Sequence, residues 1–414
     1  MEPSPPDPRV GPGPQVDHDR RALAAVAGQF FVNGAMTASF VARAPQIRDR
    51  IGVTVDEYGA LLTAAAVFGL VGSLVAGRIV HSVGTRRVLQ AGGVVMVLSL
   101  VAIGAARSPV VWLIGMLAYV SVDVLVDISM NLQASWISAR RPTGVMNRLH
   151  GLWSLGGFAG GLGAVAANAG GLSTASHLLV VALVMAVVLL VVTRNLLASD
   201  EDEGHRHEVE PADSPAGETA VPSRATSRAP VVLLVLAGSF AVVAELTGGD
   251  WASFRLTDDL AASAAMGSAA FVSFMVGMTS MRFAGDALQH RLGHIGLHRA
   301  CVVIALAGFA LATLVPSRVV AVAGFLLVGM GVATFMPTLY DAAARLPGRR
   351  GAGMGAMTGG MRVAFIATPV AVGGLAGTEM SVGGAMALFT VPAVVGLVVV
   401  TELNDRLLRT ASRI

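Results

Sequence analysis

The sequence predicts an all-α membrane protein that crosses a bilayer twelve times, as two sets of six helices. Three observations support this fold class. Of the 414 residues, 54% are hydrophobic and only 13% are charged, and the charged fraction is about half that of a typical soluble domain. The mean hydropathy is +0.69. The apolar residues are gathered into runs of about 20, which is the length of a membrane-spanning helix.

The apolar runs give the expected elements in chain order. In the first half they lie near 22–43, 58–80, 88–106, 110–137, 147–169 and 174–194, and in the second half near 230–252, 264–285, 298–315, 318–342, 351–376 and 381–402. The intervening segment, 198–229, is acidic and then rich in Ser, Thr and Pro, which is typical of a disordered linker. The expected organisation is an N-terminal tail (1–21), a six-helix bundle (22–197), the linker (198–229), a second six-helix bundle (230–402) and a C-terminal tail (403–414).

Arginine placement predicts the orientation of the chain. All 29 basic residues are arginine. With the N-terminus in the cytoplasm, only six of them fall in outer loops: Arg43, Arg48, Arg50, Arg107, Arg255 and Arg318. Because cytoplasmic loops carry an excess of basic residues, both termini and the linker are expected in the cytoplasm, in a multi-pass protein of the cytoplasmic membrane. The N-terminal tail lacks the apolar core of a cleavable signal peptide.

The fourth apolar run, 110–137, carries Asp123, Asp127 and Asn131 at intervals of four residues, so they share one face of a helix. A carboxylate near the centre of a bilayer costs about 2.5–3.5 kcal/mol on insertion scales. This face must therefore contact protein or water. It indicates either a substrate or proton site or a hydrogen-bonded contact between helices, and we favour the site.

An internal repeat relates the two halves. A shift of 209 residues brings Gly84 onto Gly293, His81 onto His290 and Asp49 onto Asp258. In each copy a span ends in a basic turn that contains glycine. Duplicated halves of six spans indicate a secondary transporter with a binding site between the halves, near the middle of the membrane.

The repeat resembles the Major Facilitator Superfamily, whose loop between helices 2 and 3 reads G-x-x-x-D-R-x-G-R-R. Gly77, Gly84, Arg86 and Arg87 match this pattern, whereas histidine replaces the aspartate in both copies. The resemblance implies the corresponding fold of two pseudo-symmetric six-helix bundles. It also implies gating roles for Gly77, His81, Gly84, Arg86, Arg87, Arg282, Asp286, His290, Arg291 and Gly293.

A narrower resemblance covers three segments: DISMN (127–131), HGLWSLGG (150–157) and AELTGGDWASF (244–254). They are similar to D-x-x-M-N, H-G-x-x-S-x-G and E-G-x-x-x-D-W patterns in a largely uncharacterised bacterial subgroup, which is distantly like sugar–proton symporters. Leu246 departs from the subgroup's glycine, and Arg362 lies in a span that is usually uncharged there. The run GGFAGG (156–161) is similar to a drug-antiporter signature but lacks its proline, and small-residue packing explains it better.

In the superfamily, helices 1, 4, 7 and 10 line a central cavity, and helices 2, 5, 8 and 11 lie beside them. The resemblance therefore implies substrate contacts for polar residues on these helices. On helices 1 and 5 these are Gln29 and Asn33, which with Thr37 form a stripe, and His150 and Trp153. The stripe could equally join helices. His150 is expected either to pair with Asp127 or Asn131 or to pack as a neutral side chain.

Helix 7 carries Glu245 before a Gly248–Gly249 pair and Asp250 and Trp251 after it. Paired glycines predict a hinge or an unwound segment. Asp250 and Trp251 are then expected to face an outer cavity, where Trp251 would stack on a substrate or lie at the membrane interface.

Arg362, about halfway along helix 11, must be paired or face a cavity. Two alternatives stay open. It neutralises Asp123, Asp127 or Glu245, or it binds a carboxylate or phosphate of the substrate.

The leading hypothesis is a proton-coupled transporter of a small polar solute, with Asp123, Asp127 and Glu245 as the proton-coupling candidates. Asp123 and Asp127 are expected to titrate as a coupled pair. Drug or metabolite efflux is the alternative, and a non-transporting receptor is a third possibility. The motifs HExxH, GxSxG and CxxC and a nucleotide loop do not occur, so we expect no enzyme, cofactor or metal site. The expected partners are the lipid bilayer, a small-molecule substrate and protons; we expect a monomer and no nucleic acid.

Overall fold

The computed structural model describes residues 14–141, 145–198, 229–344 and 352–411. Within these ranges the chain is helical and contains no strand. Nearly all of the predicted disordered linker, like most of the N-terminal tail, lies outside the described residues.

Six helices form the first half: α1 (Pro14–Val41), α2 (Val55–Val83), α3 (Thr85–Ala105), α4 (Pro109–Ala139), α5 (Met146–Ala169) and α6 (Thr174–Val192). The second half begins with α7 (Ala229–Asp250). Helices α8 and α9 form one stretch, Ala264–Leu314, that is interrupted at Gly293. Helix α10 has two pieces, Arg318–Val332 and Phe335–Ala344, and α11 (Ala352–Ala376) and α12 (Val382–Ala411) follow. Short helices at Ala44–Ile51 and Ala252–Phe254 and a π-helical turn at Arg255–Asp259 connect neighbouring spans. The predicted fold class, with twelve transmembrane helices, is confirmed.

Local sequence accounts for several helix starts. The Ser108 hydroxyl caps α4 by accepting a hydrogen bond from the Val111 amide, and Pro109 follows at the first helical position. Ser173 caps α6 in the same way. Thr54 and Glu57 form a capping box at the start of α2.

The internal repeat extends to the backbone of its turns. Gly84, between α2 and α3, has a φ of 87°, and Gly293, between α8 and α9, has a φ of 70°. Residues other than glycine rarely adopt this left-handed region. The two glycines that coincide in the sequence repeat therefore make equivalent turns.

Glycines bring helix backbones into direct contact. Gly156 and Gly160 of α5 pack on α1, while Gly157 and Gly161 pack on α8. The run GGFAGG thus serves close packing on two sides, as its small residues predict.

The two halves approach each other unequally at the two ends of the bundle. We call the end where α1 and α7 begin and α6 and α12 end the linker end, and the opposite end the far end. Toward the far end, Gly59 of α2 packs on Gly373 of α11, and the Thr63 hydroxyl donates a hydrogen bond to the Ile366 carbonyl. Toward the linker end, Gly355 of α11 has no atom of another element within 4 Å of a Cβ position. Helices α2 and α11 therefore meet at the far end and separate toward the linker end.

Gly277 and Gly285, both on α8, offer a matched test of this packing. A Cβ at Gly277 would overlap the Leu326 carbonyl of α10, whereas one at Gly285 would meet nothing within 4 Å. Overpacking costs typically about 1–3 kcal/mol. We expect Gly277→Val to lower the apparent melting temperature of the purified protein by several degrees and Gly285→Val to leave it nearly unchanged. Equal effects of the two substitutions would contradict the packing shown.

Candidate functional site

A hydrogen-bonded chain of three side chains joins α1, α4 and α5. The Asn33 amide donates to Asp123 Oδ1 over 2.6 Å. Its carbonyl oxygen accepts a hydrogen bond from Trp153 Nε1 over 2.8 Å. Asn33 is almost fully buried. Its donor and acceptor are thus both satisfied, and it fixes the carboxyl of α4 relative to the indole of α5.

The polar face of α4 continues from this chain toward the linker end. Asp127 is exposed and accepts a hydrogen bond of 3.1 Å from Asn131, one turn farther along. Tyr119 lies one turn from Asp123 toward the far end and shares a hydrogen bond of 2.9 Å with Thr37 of α1. The sequence indicated the acidic stripe but not the role of Tyr119, since tyrosine also occurs as an apolar core residue.

Tyr340 shows which way the polar face of α4 points. This side chain of α10 lies within electrostatic range of both Asp127 on α4 and Glu245 on α7. Tyr340 is therefore close to one acid of each half. Tyr340 was not among the predicted site residues, and a single tyrosine in an apolar run gives little sequence signal for such a position.

Arg282 of α8 connects the two halves. Its guanidinium donates a hydrogen bond of 2.7 Å to the Ser154 hydroxyl of α5 and lies 4.0 Å from Glu245 of α7. Side chains of Arg282 and Glu245 remain 25% and 30% exposed, so the pair lines the open space. The sequence assigned Arg282 to a gating loop; the structure places it in the central cluster.

Of the two alternatives for Arg362, the structure does not show the first, which is pairing with an intramembrane acid. Its side chain is exposed on α11 and, among the described residues, makes no hydrogen bond or ion pair. The expected pairing with Asp123, Asp127 or Glu245 is absent, and Arg282 is the cation beside Glu245. The other alternative, that Arg362 binds a carboxylate or phosphate of the substrate, stays a prediction.

His150 takes the second of its two expected positions, packing on a neighbour, and Gln29 does not join the cluster. The His150 ring makes an edge-to-face contact with Phe30, with centroids 5.3 Å apart, rather than a hydrogen bond to Asp127 or Asn131. Gln29 is buried, and its Oε1 atom has no hydrogen-bond partner among the described residues. Asn33 is therefore the member of the α1 stripe that joins the cluster.

The glycine pair of α7 does not unwind the helix, which continues to Asp250. Cβ atoms at Gly248 and Gly249 would crowd the Phe274 ring of α8. The pair thus admits an aromatic side chain. The predicted unwound segment is absent, and the predicted hinge stays a prediction. Asp250 lies in electrostatic range of Glu245, on the far-end side of it.

Trp251 belongs to an aromatic seal at the far end and not to an open outer cavity. It is only 1% exposed and packs on Phe254, with ring centroids 5.2 Å apart. Phe254 in turn contacts Tyr58 of α2, which lies against Trp112. The expected exposure of Trp251 is wrong because the halves meet at this end.

An ion pair covers the aromatic seal. Arg48, on the short helix after α1, pairs with Asp258, on the turn after α7, and stacks over the Phe254 ring at 5.3 Å. Burial alone would lower the pKa of Arg48, but the hydrogen bonds and charges of Asp258 and Asp49 raise it above its usual value. Arg48 is thus held as a cation across the two halves. Sequence reasoning missed this pair, since both residues lie in connecting segments.

The predicted gating residues lie at the linker end. Gly77 and His81 are exposed near the end of α2, and Arg86 donates a hydrogen bond of 3.1 Å to the Arg194 carbonyl at the end of α6. Arg87, His290 and Arg291 are exposed, and the side chain of Asp286 lies outside the described residues. Among these residues the structure shows no ion pair between the halves within the described ranges. In the same ranges, no group of three or more His, Cys, Asp or Glu side chains could hold a metal ion.

The arrangement of helices agrees with comparisons of the chain with known proteins. Residues 25–369 match the family model of the Major Facilitator Superfamily. The chain belongs to this superfamily. It is therefore a multi-pass membrane protein of a transporter family. An uncharacterised transporter of this type from Yersinia pestis is 26% identical over 314 residues, which cover 76% of this chain and 78% of the relative.

Solved structures support the same fold. The nucleoside transporter NupG has a TM-score of 0.67 at 13% identity, over 92% of this chain and 98% of that protein. A bacterial homologue of the human lysosomal transporter Spinster, in an inward-facing and occupied conformation, has a TM-score of 0.60 at 14% identity. This comparison covers 97% of this chain and 98% of that protein.

We expect that breaking the Arg48–Asp258 pair weakens closure of the far end. Ser253, next to Phe254, is buried and donates a hydrogen bond to the Ala42 carbonyl of the first half, and the native thiol of Cys301 is also buried. In a Ser253→Cys protein, we expect Arg48→Glu to raise the rate of thiol labelling about fivefold, equivalent to about 1 kcal/mol. Adding Asp258→Arg should restore slow labelling.

Arg50 supplies the matched control for this experiment. It lies on the same short helix but donates its hydrogen bond to the Ala106 carbonyl, within the first half. Arg50→Glu should not increase labelling. An unchanged rate in Arg48→Glu, or no rescue by Asp258→Arg, would contradict a closing role for the pair.

Proposed function

We propose that this protein is a secondary active transporter that moves a small polar solute across the cytoplasmic membrane, coupled to protons. The observation that carries the proposal is the cluster between the halves. Hydrogen-bonded groups of α1, α4 and α5 face Glu245, Arg282 and Tyr340 of the second half. A solute bound there would contact both halves at once. Its binding could therefore be coupled to their relative movement.

Asp123 and Asp127 are the proposed proton carriers. Asp123 has a neutral partner, Asn33, and its nearest charged neighbour is Asp127 on the same face. Among the described residues, neither carboxyl has an ion pair. An intramembrane acid without a fixed counter-ion can exchange a proton without breaking an ion pair, which suits a coupling site. Glu245, beside Arg282, is the acid of the second half whose charge would respond to the binding and release of this proton.

The cluster favours a substrate with hydrogen-bonding groups. Asn131, Trp153 and Tyr340 offer amide, indole and hydroxyl groups beside the acids, and Arg282 offers a guanidinium fork. Gln29, His150, Asp250 and Trp251 remain proposed contacts for other stages of transport. An apolar drug would leave several of these polar groups without partners, which disfavours multidrug efflux.

The transport mechanism that we propose is alternating access by rocking of the two halves. Arginine placement assigns the linker end to the cytoplasm. The separation of α2 and α11 at that end, together with the Arg48–Asp258 closure at the far end, supports an inward-open state. Closing the linker end and breaking the far-end contacts would give the outward-open state.

The first test is a ligand screen followed by flux measurements. A ligand that binds the folded state raises its apparent melting temperature by mass action. Sugars, organic acids, amino acids and cationic drugs would be compared at two pH values with the purified protein. We expect a polar solute to stabilise it and to enter proteoliposomes faster with an imposed proton gradient. Stabilisation by apolar cations alone would favour the efflux alternative, and the absence of flux for every stabilising ligand would contradict transport.

Asp123→Asn and Asp127→Asn test the proton step. We expect at least one of them to lower gradient-driven uptake about tenfold or more while exchange of internal for external solute continues. Exchange needs no release of the proton, so a neutral side chain can still support it. Glu402→Gln, which removes an exposed acid outside the cluster, is the control. Full gradient-driven uptake in both single variants and in the double variant would contradict the proposed carriers.

A further inference from the structure

Arg362 lies inside a span without a counter-ion. Its side chain is exposed and has no hydrogen-bonding or ionic partner in the described part of the chain. Helix α11 contains no acidic residue, and neither does the stretch 58–83 of α2, which lies across from it. An arginine in a span normally faces protein partners or water because its charge is costly in lipid. The neighbouring helices supply no anion, so the charge of Arg362 is free to bind an anion that enters the gap.

The crossing of α2 and α11 shows what Arg362 faces. At the far end, the Thr63 hydroxyl donates to the Ile366 carbonyl and accepts from the Val370 amide. Arg362 precedes Ile366 by one helical turn, so it lies on the same side of α11, nearer the linker end. Arg78 follows Thr63 by 15 residues. At 100° per residue, its side chain leaves α2 about 60° around the helix axis from that of Thr63. It too is exposed and, among the described residues, has no partner. One arginine from each half thus lines the gap between α2 and α11.

The walls of this gap are otherwise mostly apolar or lack side chains. On the sides of α2 and α11 that face the gap, α2 exposes Val71 and Leu74 and α11 exposes Val363, while the polar side chain of His81 lies at the linker end of α2. A Cβ placed on Gly77, Gly355 or Gly359 would meet nothing within 4 Å. The result is an open groove between the halves that combines hydrocarbon surface with two cations.

The depth of Arg362 suits a headgroup rather than an ion at the centre of the membrane. Its Cα lies ten residues after the first residue of α11, which is about 15 Å along the helix axis. Side chains of a helix lean toward its N-terminus, which for α11 is the linker end. A long arginine side chain can extend in this direction toward the membrane surface while its methylene groups stay in the hydrocarbon.

We propose that this groove binds an anionic phospholipid from the leaflet at the linker end. The phosphate contacts Arg362, Arg78 adds a second positive charge nearer the linker end, and an acyl chain lies along the exposed apolar residues of α2. A guanidinium fork matches phosphate oxygens in a bidentate manner. The apolar walls favour a phosphate that carries acyl chains over a soluble anion. This site is separate from the central cluster and does not depend on the proposed transport function.

The test uses the full-length protein after removal of lipid in a neutral detergent. Dioleoyl phosphatidylglycerol, dioleoyl phosphatidylcholine and glycerol phosphate would be titrated, with binding followed by native mass spectrometry and by the apparent melting temperature. We expect phosphatidylglycerol to bind tightest. We expect Arg362→Gln and Arg78→Gln each to weaken its binding about fivefold, the factor expected for one basic residue near anionic headgroups. Arg291→Gln, at an exposed arginine elsewhere at the linker end, should change it little.

Three results would overturn the proposal. Unchanged phosphatidylglycerol binding in Arg362→Gln and in Arg78→Gln would show that the groove is not a lipid site. An equal loss in Arg291→Gln would indicate general attraction to a basic surface. Arginine-dependent stabilisation by glycerol phosphate that equals that by the lipid would assign the groove to a soluble anion. If Arg362→Gln does not fold, Arg362→Lys takes its place, because lysine retains the positive charge without the guanidinium fork. It should bind the lipid with intermediate affinity, and wild-type affinity in both Arg362→Lys and Arg78→Gln would reject the proposal.

Discussion

A polar side chain inside a bilayer must have a partner or face water, and this constraint determines where the halves of the protein can meet. Asn33 satisfies it by donating to Asp123 and accepting from Trp153. Arg282 satisfies it by bonding to Ser154 of the first half while it lies beside Glu245 of the second. Polar groups that would be costly in lipid are thus gathered between the two bundles. The same arrangement of polar groups forms a site that a polar solute can bind.

Glycine makes this arrangement possible at the level of the backbone. Gly156 and Gly160 allow α5 to lie directly on α1, and this close approach brings the Trp153 indole within 2.8 Å of Asn33. On the other side of α5, Gly157 and Gly161 admit side chains of α8, the helix that carries Arg282. One short run of small residues therefore supports the contacts of both halves with the central cluster.

The fold and part of the site follow from sequence because they depend on local periodicity. Spans appear as apolar runs, the repeat appears as matched turns at Gly84 and Gly293, and the face shared by Asp123 and Asp127 follows from the helical period. The identity of the cation beside Glu245 does not follow from sequence. Arg282 and Arg362 both lie within apolar runs, and only the rotation of α8 and α11 decides which one meets the acid. The burial of Trp251 was equally hidden, because it depends on which end of the bundle is closed.

The most direct test of this account is an electron cryomicroscopy structure of the protein with a ligand identified by thermal stabilisation. The account predicts ligand density between the halves, within hydrogen-bonding distance of Asp127 or Trp153 on one side and of Arg282 or Glu245 on the other. Density that contacts one half alone, or that lies outside this cluster, would contradict the claim that the solute bridges the two bundles.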